Sequence, residues 1–166
     1  MKVTVKTPNI TQYNFVFEPT DDIYYNCTWA DINLDNDTYA LTAVTDCGNY
    51  AYCWSPTPDV ERFKALMARI GGEYLLGKIA EENVFDFEES KRIAIDQAKE
   101  DEYTEQQIQD IEWIDYCGIE EFIRQIREVT EWEYEYIPVV ERYPPGAIAF
   151  AKVFTEYLQP ILKEGQ

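Results

Sequence analysis

The chain has 166 residues, 46% hydrophobic and 15% aromatic, enough apolar surface for a real core, which excludes an intrinsically disordered chain. Its formal net charge is -18, from 32 acidic against 14 basic residues, and it has no histidine. That balance excludes direct binding to nucleic-acid backbones or anionic lipid heads, where Lys or Arg must displace counterions, and points to basic surfaces as partners.

The opening stretch, Met1-Lys2-Val3-Thr4-Val5-Lys6, lacks the apolar centre of a signal peptide, and no apolar run reaches the roughly 18 residues of a membrane span. The expectation is a cytoplasmic protein with no membrane segment. Its four cysteines, Cys27, Cys47, Cys53 and Cys117, are then reduced thiols, and the Asn-x-Thr sequons at Asn9, Asn26 and Asn36 carry no glycan.

Lys2 to Lys6 alternates as a strand with one buried face does, and Gln12 to Glu18 follows suit with Tyr13, Phe15 and Phe17 on one side. Ile23 to Ile32 is rich in strand-favouring Tyr, Thr, Trp and Ile. Asp35-Asn36-Asp37 reads as a hairpin turn, Tyr39 to Thr45 returns, Asp46-Cys47-Gly48-Asn49 turns again, and Tyr50 to Trp54 ends the sheet. Thr57 with Pro58 starts a helix carrying Val60, Phe63, Leu66, Met67 and Ile70 on one face, and Gly71-Gly72 stops it. A short helix follows through Tyr74, Leu75, Leu76 and Ile79.

Asp86 with Glu89, and Thr104 with Gln107, are capping-box patterns that open two further helices. Another runs from Ile119 to Thr130 with Ile119, Phe122, Ile123 and Ile126 inward. Pro138 and Pro144-Pro145-Gly146 break the chain, and Ala147 to Leu162 closes it as a helix with Phe150, Val153, Phe154 and Leu158 on one face. The fold class is α+β: an antiparallel β-meander of about five strands followed by about five or six helices packed on it. The chain reads as one domain, 1–166, divided into a β-rich part (1–55), core helices (56–80), an acidic helical segment (81–135) and a C-terminal helix (136–166).

The charge is unevenly spread. Residues 1–80 carry a net charge of -4, residues 136–166 a net charge of zero, and residues 81–135, with 19 acids and 5 bases, a net charge of -14. Neighbouring acids on a helix repel, so folding gains nothing from this density. It has two readings. Acidic helix faces keep a protein soluble, and acids in a first helical turn suit the helix dipole. Alternatively, the carboxylates occupy a basic groove in place of phosphates, since both anions accept paired donors from Arg. Trp113, Trp132, Tyr134 and Tyr136 could then supply stacking or anchoring contacts.

Catalytic chemistry finds little support. Without histidine there is no Ser-His or Cys-His pair and no commonest metal ligand. Asp31, Asn33, Asp35 and Asp37 begin like a calcium loop, but Asn36 stands where glycine is expected and Thr42 where the bidentate Glu belongs. Cys47 and Cys53 flank a turn and Cys27 lies on a neighbouring strand, without the paired short spacings of a zinc site, so they read as thiols of a β-core. The expectation is a protein that is not an enzyme and uses no cofactor and no metal. A carboxylate-based Mg²⁺ enzyme stands as a minor alternative.

One stretch goes beyond composition: Asp46-Cys47-Gly48-Asn49-Tyr50-Ala51-Tyr52-Cys53-Trp54, then Phe63 to Ile70, then Tyr74-Leu75-Leu76-Gly77-Lys78-Ile79. Over some 35 residues it resembles small phage and prophage proteins of unassigned role, which share a D-x-G-x-Y-x-Y-x-W strand, a helix of the F-x-x-L/F-x-x-R-I/L type, and Y-L-L-x-K-L/I. These motifs are of a structural kind, so the resemblance implies origin more than activity.

By analogy with acidic phage proteins that block host defence nucleases, the expected function is inhibition of a host nucleic-acid-binding protein such as a CRISPR effector, by competition with nucleic acid. The candidate contact residues are Glu88, Glu89, Asp96, Glu100, Asp101, Glu102, Glu120, Glu121, Trp113 and Trp132. The alternative is a phage structural or replication accessory protein that assembles through its aromatics. The oligomeric state is left open.

Overall fold

The computed structural model describes residues 1, 3–55 and 63–164. In chain order its elements are β1 (Ile10–Val16), β2 (Trp29–Asp35), β3 (Ala40–Thr45), β4 (Gly48–Cys53), α1 (Phe63–Met67), α2 (Gly72–Ile79), β5 (Val84–Phe85), α3 (Phe87–Glu100), α4 (Glu105–Glu112) and α5 (Ile119–Thr130). A 3₁₀ turn (Tyr134–Tyr136), β6 (Glu141–Arg142), α6 (Pro145–Lys152), a widened π-type turn (Val153–Leu158) and α7 (Gln159–Glu164) complete them. The molecule is α+β. Its contacts group the elements into two compact units, Met1–Glu82 with Tyr143–Gln166, and Asn83–Arg142, where the sequence reading takes 1–166 as one domain.

The first unit is built on one antiparallel sheet in the order β1-β2-β3-β4. Its register sets Tyr13 beside Ile32, Ile32 beside Ala43, and Ala43 beside Tyr50, a row that crosses the inner face. The next row, Gln12, Asn33, Thr42 and Ala51, faces the other way, as a period of two demands. Ile32, Leu34, Leu41 and Ala43 pack inward with Phe63, Met67 and Leu75, and with Phe150, Phe154 and Leu158 of the C-terminal helix.

Each turn has its own local cause. The Asp35 carboxylate accepts the N–H groups of Asp37 and Thr38 and the Thr38 hydroxyl, and the latter bond above all holds its pKa below the ordinary value. Between β3 and β4, Gly48 takes φ 146°, and a Cβ there would lie 2.3 Å from the Tyr50 hydroxyl.

The D-x-G-x-Y-x-Y-x-W residues have structural duties throughout. Tyr50 stacks on Phe150 at 4.7 Å and donates to the Cys47 carbonyl; Tyr52 meets Trp54 edge-on; and the Trp54 indole N–H donates to the Tyr74 hydroxyl. Lys78 of the Y-L-L-G-K-I helix lies over the Tyr52 and Tyr74 rings. The buried Gln159 amide donates to the Met67 and Ile70 carbonyls, satisfying acceptors that the end of α1 leaves without helical partners.

Several elements depart from the sequence expectation. Val3 to Lys6 forms no strand: the segment pairs with neither edge of the sheet, β1 or β4, and its alternating side chains stay exposed. The segment from Asp21 to Cys27 is a series of turns that plugs Ile23 and Cys27 into the core, and β2 begins only at Trp29. The sheet therefore has four strands where about five are expected. Gly71 and Gly72 open α2 rather than stop α1, which ends at Met67. The expected start at Thr57, Pro58 and Val60 lies outside the described residues.

The second unit has a core of its own, formed by Phe87, Ala94, Ala98, Ile111, Phe122, Ile123 and Ile126 from three helices, with Ile114 and Ile137 from the connections. The short antiparallel pair β5–β6 sets Val84 opposite Arg142, so the two ends of this unit meet. Asp86 caps α3 by accepting the Glu89 N–H, and Thr104 with Gln107 forms the full capping box of α4. The helix ends are tied across the unit. Lys91 donates to the carbonyls of Glu112, the last residue of α4, and of Ile114 just beyond it, while Tyr103 and Gln107 donate to the Thr130 and Val129 carbonyls at the end of α5. Among the described residues no helix is long and apolar enough to cross a membrane.

Candidate protein-binding surface

The three-helix unit carries 18 acidic and 6 basic residues, a net charge of -12 out of the -18 of the chain. Most of its aliphatic positions pack into its core, and the acids project from the outer helix faces and the connecting turns.

The candidate acids fall into two groups. Glu89 and Asp96 flank Arg92 on α3, and Glu121 with Glu128 flanks Arg124 on α5, in i,i+3 and i,i+4 pairs. The bonds from Arg92 and Arg124 hold the Glu89 and Glu121 carboxyls below their ordinary pKa and raise those of the guanidinium groups. These acids are partly neutralised by their own helices. Glu88, Glu100, Asp101, Glu102 and Glu120 are exposed, and among the described residues none of them has an ion pair.

Glu88, Glu89, Glu120 and Glu121 sit in first helical turns, where the dipole stabilises a negative charge. Glu100, Asp101 and Glu102 sit at the opposite end of α3, where the same dipole opposes them. The turn there is a Schellman motif: the Tyr103 N–H reaches the Ala98 carbonyl and the Glu102 N–H reaches Lys99. Glu102 occupies its left-handed position at φ 59°, where glycine is the favoured residue. The end of α5 also closes on a left-handed glutamate, Glu131 at φ 61°, but in the simpler cap with a single bond from its N–H to the Arg127 carbonyl.

Sequence reasoning missed Glu131, and no signal in the chain marks it, because a left-handed glutamate looks like any other glutamate until its dihedral angle is known. The cluster at 100–102 is legible in the sequence; the strain that sets it apart is not.

The two candidate tryptophans differ. Trp113, just after α4, is 70% exposed. Trp132 is half-buried, packed edge-on against Tyr103 at 5.7 Å beside the core of the unit. Tyr116, Tyr134 and Tyr136 are also exposed, so the surface of this unit mixes carboxylates with aromatic rings.

The sequence model of a phage protein family matches residues 2–164, nearly the whole chain. No curated protein and no solved structure matches it.

Proposed function

The chain belongs to that phage family, Phage_phiTE_072, and from this premise we propose that it is an acidic inhibitor that acts in the host cytoplasm through its three-helix unit. Its target in this reading is the basic nucleic-acid-binding surface of a host defence nuclease, a CRISPR effector being the leading case, where its carboxylates compete with phosphates. It performs no catalytic step and needs no cofactor.

The observation that carries the reading is the placement of acids against the preferences of the fold. Solubility is served by acids anywhere on a surface, and cheaply by acids at helix N-termini. A glutamate in a left-handed helix cap costs about 1 kcal/mol relative to glycine, and a carboxylate at a helix C-terminus a few tenths more. Two helices of one unit carry that cost, at Glu102 and Glu131, with Glu100 and Asp101 adding to the charge at the end of α3. A surface kept negative at the expense of stability fits a partner whose recognition is electrostatic.

The test is capture from host lysate on the immobilised full chain, at low and high salt, with duplex DNA as competitor. The expected result is a basic nuclease retained at low salt, displaced by DNA, and bound at least about tenfold more weakly by the triple variant Glu100→Gln, Asp101→Asn, Glu102→Gln. Equal retention by that variant, or capture indifferent to DNA, would overturn the reading.

The exposed aromatics favour a second reading, a structural or replication accessory protein that assembles with other phage proteins. In that case Trp113→Ala weakens assembly while the triple variant leaves it intact.

A further inference from the structure

The remaining chemistry of interest lies in the first unit, at the end of the sheet where β2 begins and β3 ends. Ala30 pairs with Thr45 there, so Cys27, three residues before Ala30, comes alongside the Asp46-Cys47 turn that follows Thr45. One Sγ from Cys27, one from Cys47 and a carboxylate oxygen of Asp46 all lie within 4.8 Å of one another. Cys53, which the sequence groups with Cys47, is elsewhere: it is exposed on the outer face and its thiol donates to the Thr38 carbonyl.

We propose that Cys27, Asp46 and Cys47 form a binding site for a thiophilic divalent cation of the zinc class. Two sulfur donors and one carboxylate select such an ion over Mg²⁺ or Ca²⁺, which take all-oxygen shells. In a tetrahedral site of this kind the donors stand roughly 3.5–3.8 Å apart, so from separations within 4.8 Å the three atoms need close by no more than about 1.3 Å. The fourth position belongs to a water, because Asp46 is exposed and Cys47 half-buried while Cys27 closes the site from within.

The donors are held from behind, as metal ligands commonly are. The Thr28 N–H donates to both Asp46 carboxylate oxygens, at 3.0 and 2.9 Å, and the Thr28 hydroxyl binds one of them. The Thr45 hydroxyl sits 3.1 Å from the Cys47 Sγ. The Cys47 carbonyl accepts the Tyr50 hydroxyl at 2.9 Å and abuts Gly146, where a Cβ would come within 2.0 Å of it. The Cys27 thiol donates to the Trp29 carbonyl at 3.3 Å and gives up that bond when it ligates. Both thiols enter as thiolates, so the dication displaces two protons to solvent, and the site, -1 with two thiols and one carboxylate, keeps a charge of -1 with the ion bound.

Titration of the full-length reduced protein with Cd²⁺, followed by thiolate-to-metal absorbance in the ultraviolet, tests the site, with Zn²⁺ as competitor. The expected result is one equivalent bound per chain, displaced by Zn²⁺, and unaltered in the double variant Cys53→Ser, Cys117→Ser. Cys47→Ser should abolish most of the band, and Asp46→Asn should weaken binding by ~10-fold. Circular dichroism of Cys47→Ser checks that the sheet persists; if it does not, Asp46→Asn, which keeps both Cys donors, becomes the deciding variant. The proposal fails if the reduced protein shows no band, or if the band follows Cys53 and Cys117. It also fails if air-oxidised protein loses two mass units between Cys27 and Cys47 while the reduced form binds nothing.

Discussion

Glu102 and Glu131 make the functional argument testable one residue at a time. Each sits in a left-handed cap that glycine would occupy without strain. Glu102→Gly and Glu131→Gly should therefore each stabilise the protein by about 0.5–1 kcal/mol, the relief of backbone strain exceeding the added flexibility of the unfolded chain. Chemical denaturation gives that sign directly. If these charges serve a partner, the same substitutions weaken binding, so stability and affinity move in opposite directions. A pair of variants that loses both would assign the two glutamates to folding alone. At this scale the sequence marks which residues are acidic and says nothing of which ones are placed at a cost.

Among the elements, the sheet and the C-terminal helix were the most legible. The alternation in Gln12–Glu18 and Tyr39–Thr45 and the helical spacing of Phe150, Val153, Phe154 and Leu158 are strong periodic signals, and each marks side chains that pack inward. The Asp86 and Thr104 caps were equally plain, since capping is chemistry between residues three apart. The failures share a cause. The strand expected at Lys2 to Lys6 finds no pairing over Val3 to Lys6, and the one expected from Ile23 gives way to turns that place Ile23 and Cys27 in the core; strand pairing and core placement both depend on distant residues. Gln159 shows the same dependence from the other side, because a glutamine on an apolar helix face looks misplaced until the Met67 and Ile70 carbonyls are found against it. Gln159→Leu should lower stability by about 1–3 kcal/mol, measured by urea unfolding, because it leaves both carbonyls without that donor. A neutral result would mean that water replaces the amide there.

For the whole molecule, the division of charge and the division of contacts coincide. The acidic segment expected at 81–135 falls almost entirely within the unit Asn83–Arg142, whose ends are brought together by β5 and β6. The family motif, the sheet and the cysteine cluster all belong to the other unit. Replacing residues 83–142 with a short Gly-Ser linker between Glu82 and Tyr143 should leave a protein that still unfolds cooperatively, since the sheet keeps its own core of Ile32, Leu41, Phe63, Phe150 and Phe154. That protein should still bind Cd²⁺ and should no longer retain a basic partner. Retention of the partner by the shortened chain would move the working surface to the sheet.

The amino-acid sequence by itself determined the α+β class, the strand and helix periodicity, the helix caps and the concentration of negative charge in one stretch, because each of these is set by residues within a few positions of one another. Only the tertiary structure decided that Glu102 and Glu131 are strained, that Trp132 packs inward while Trp113 does not, and that Cys27 lies beside Cys47 rather than Cys53. Those outcomes follow from backbone dihedral angles and strand register, which arise from long-range packing and leave no local mark on the chain.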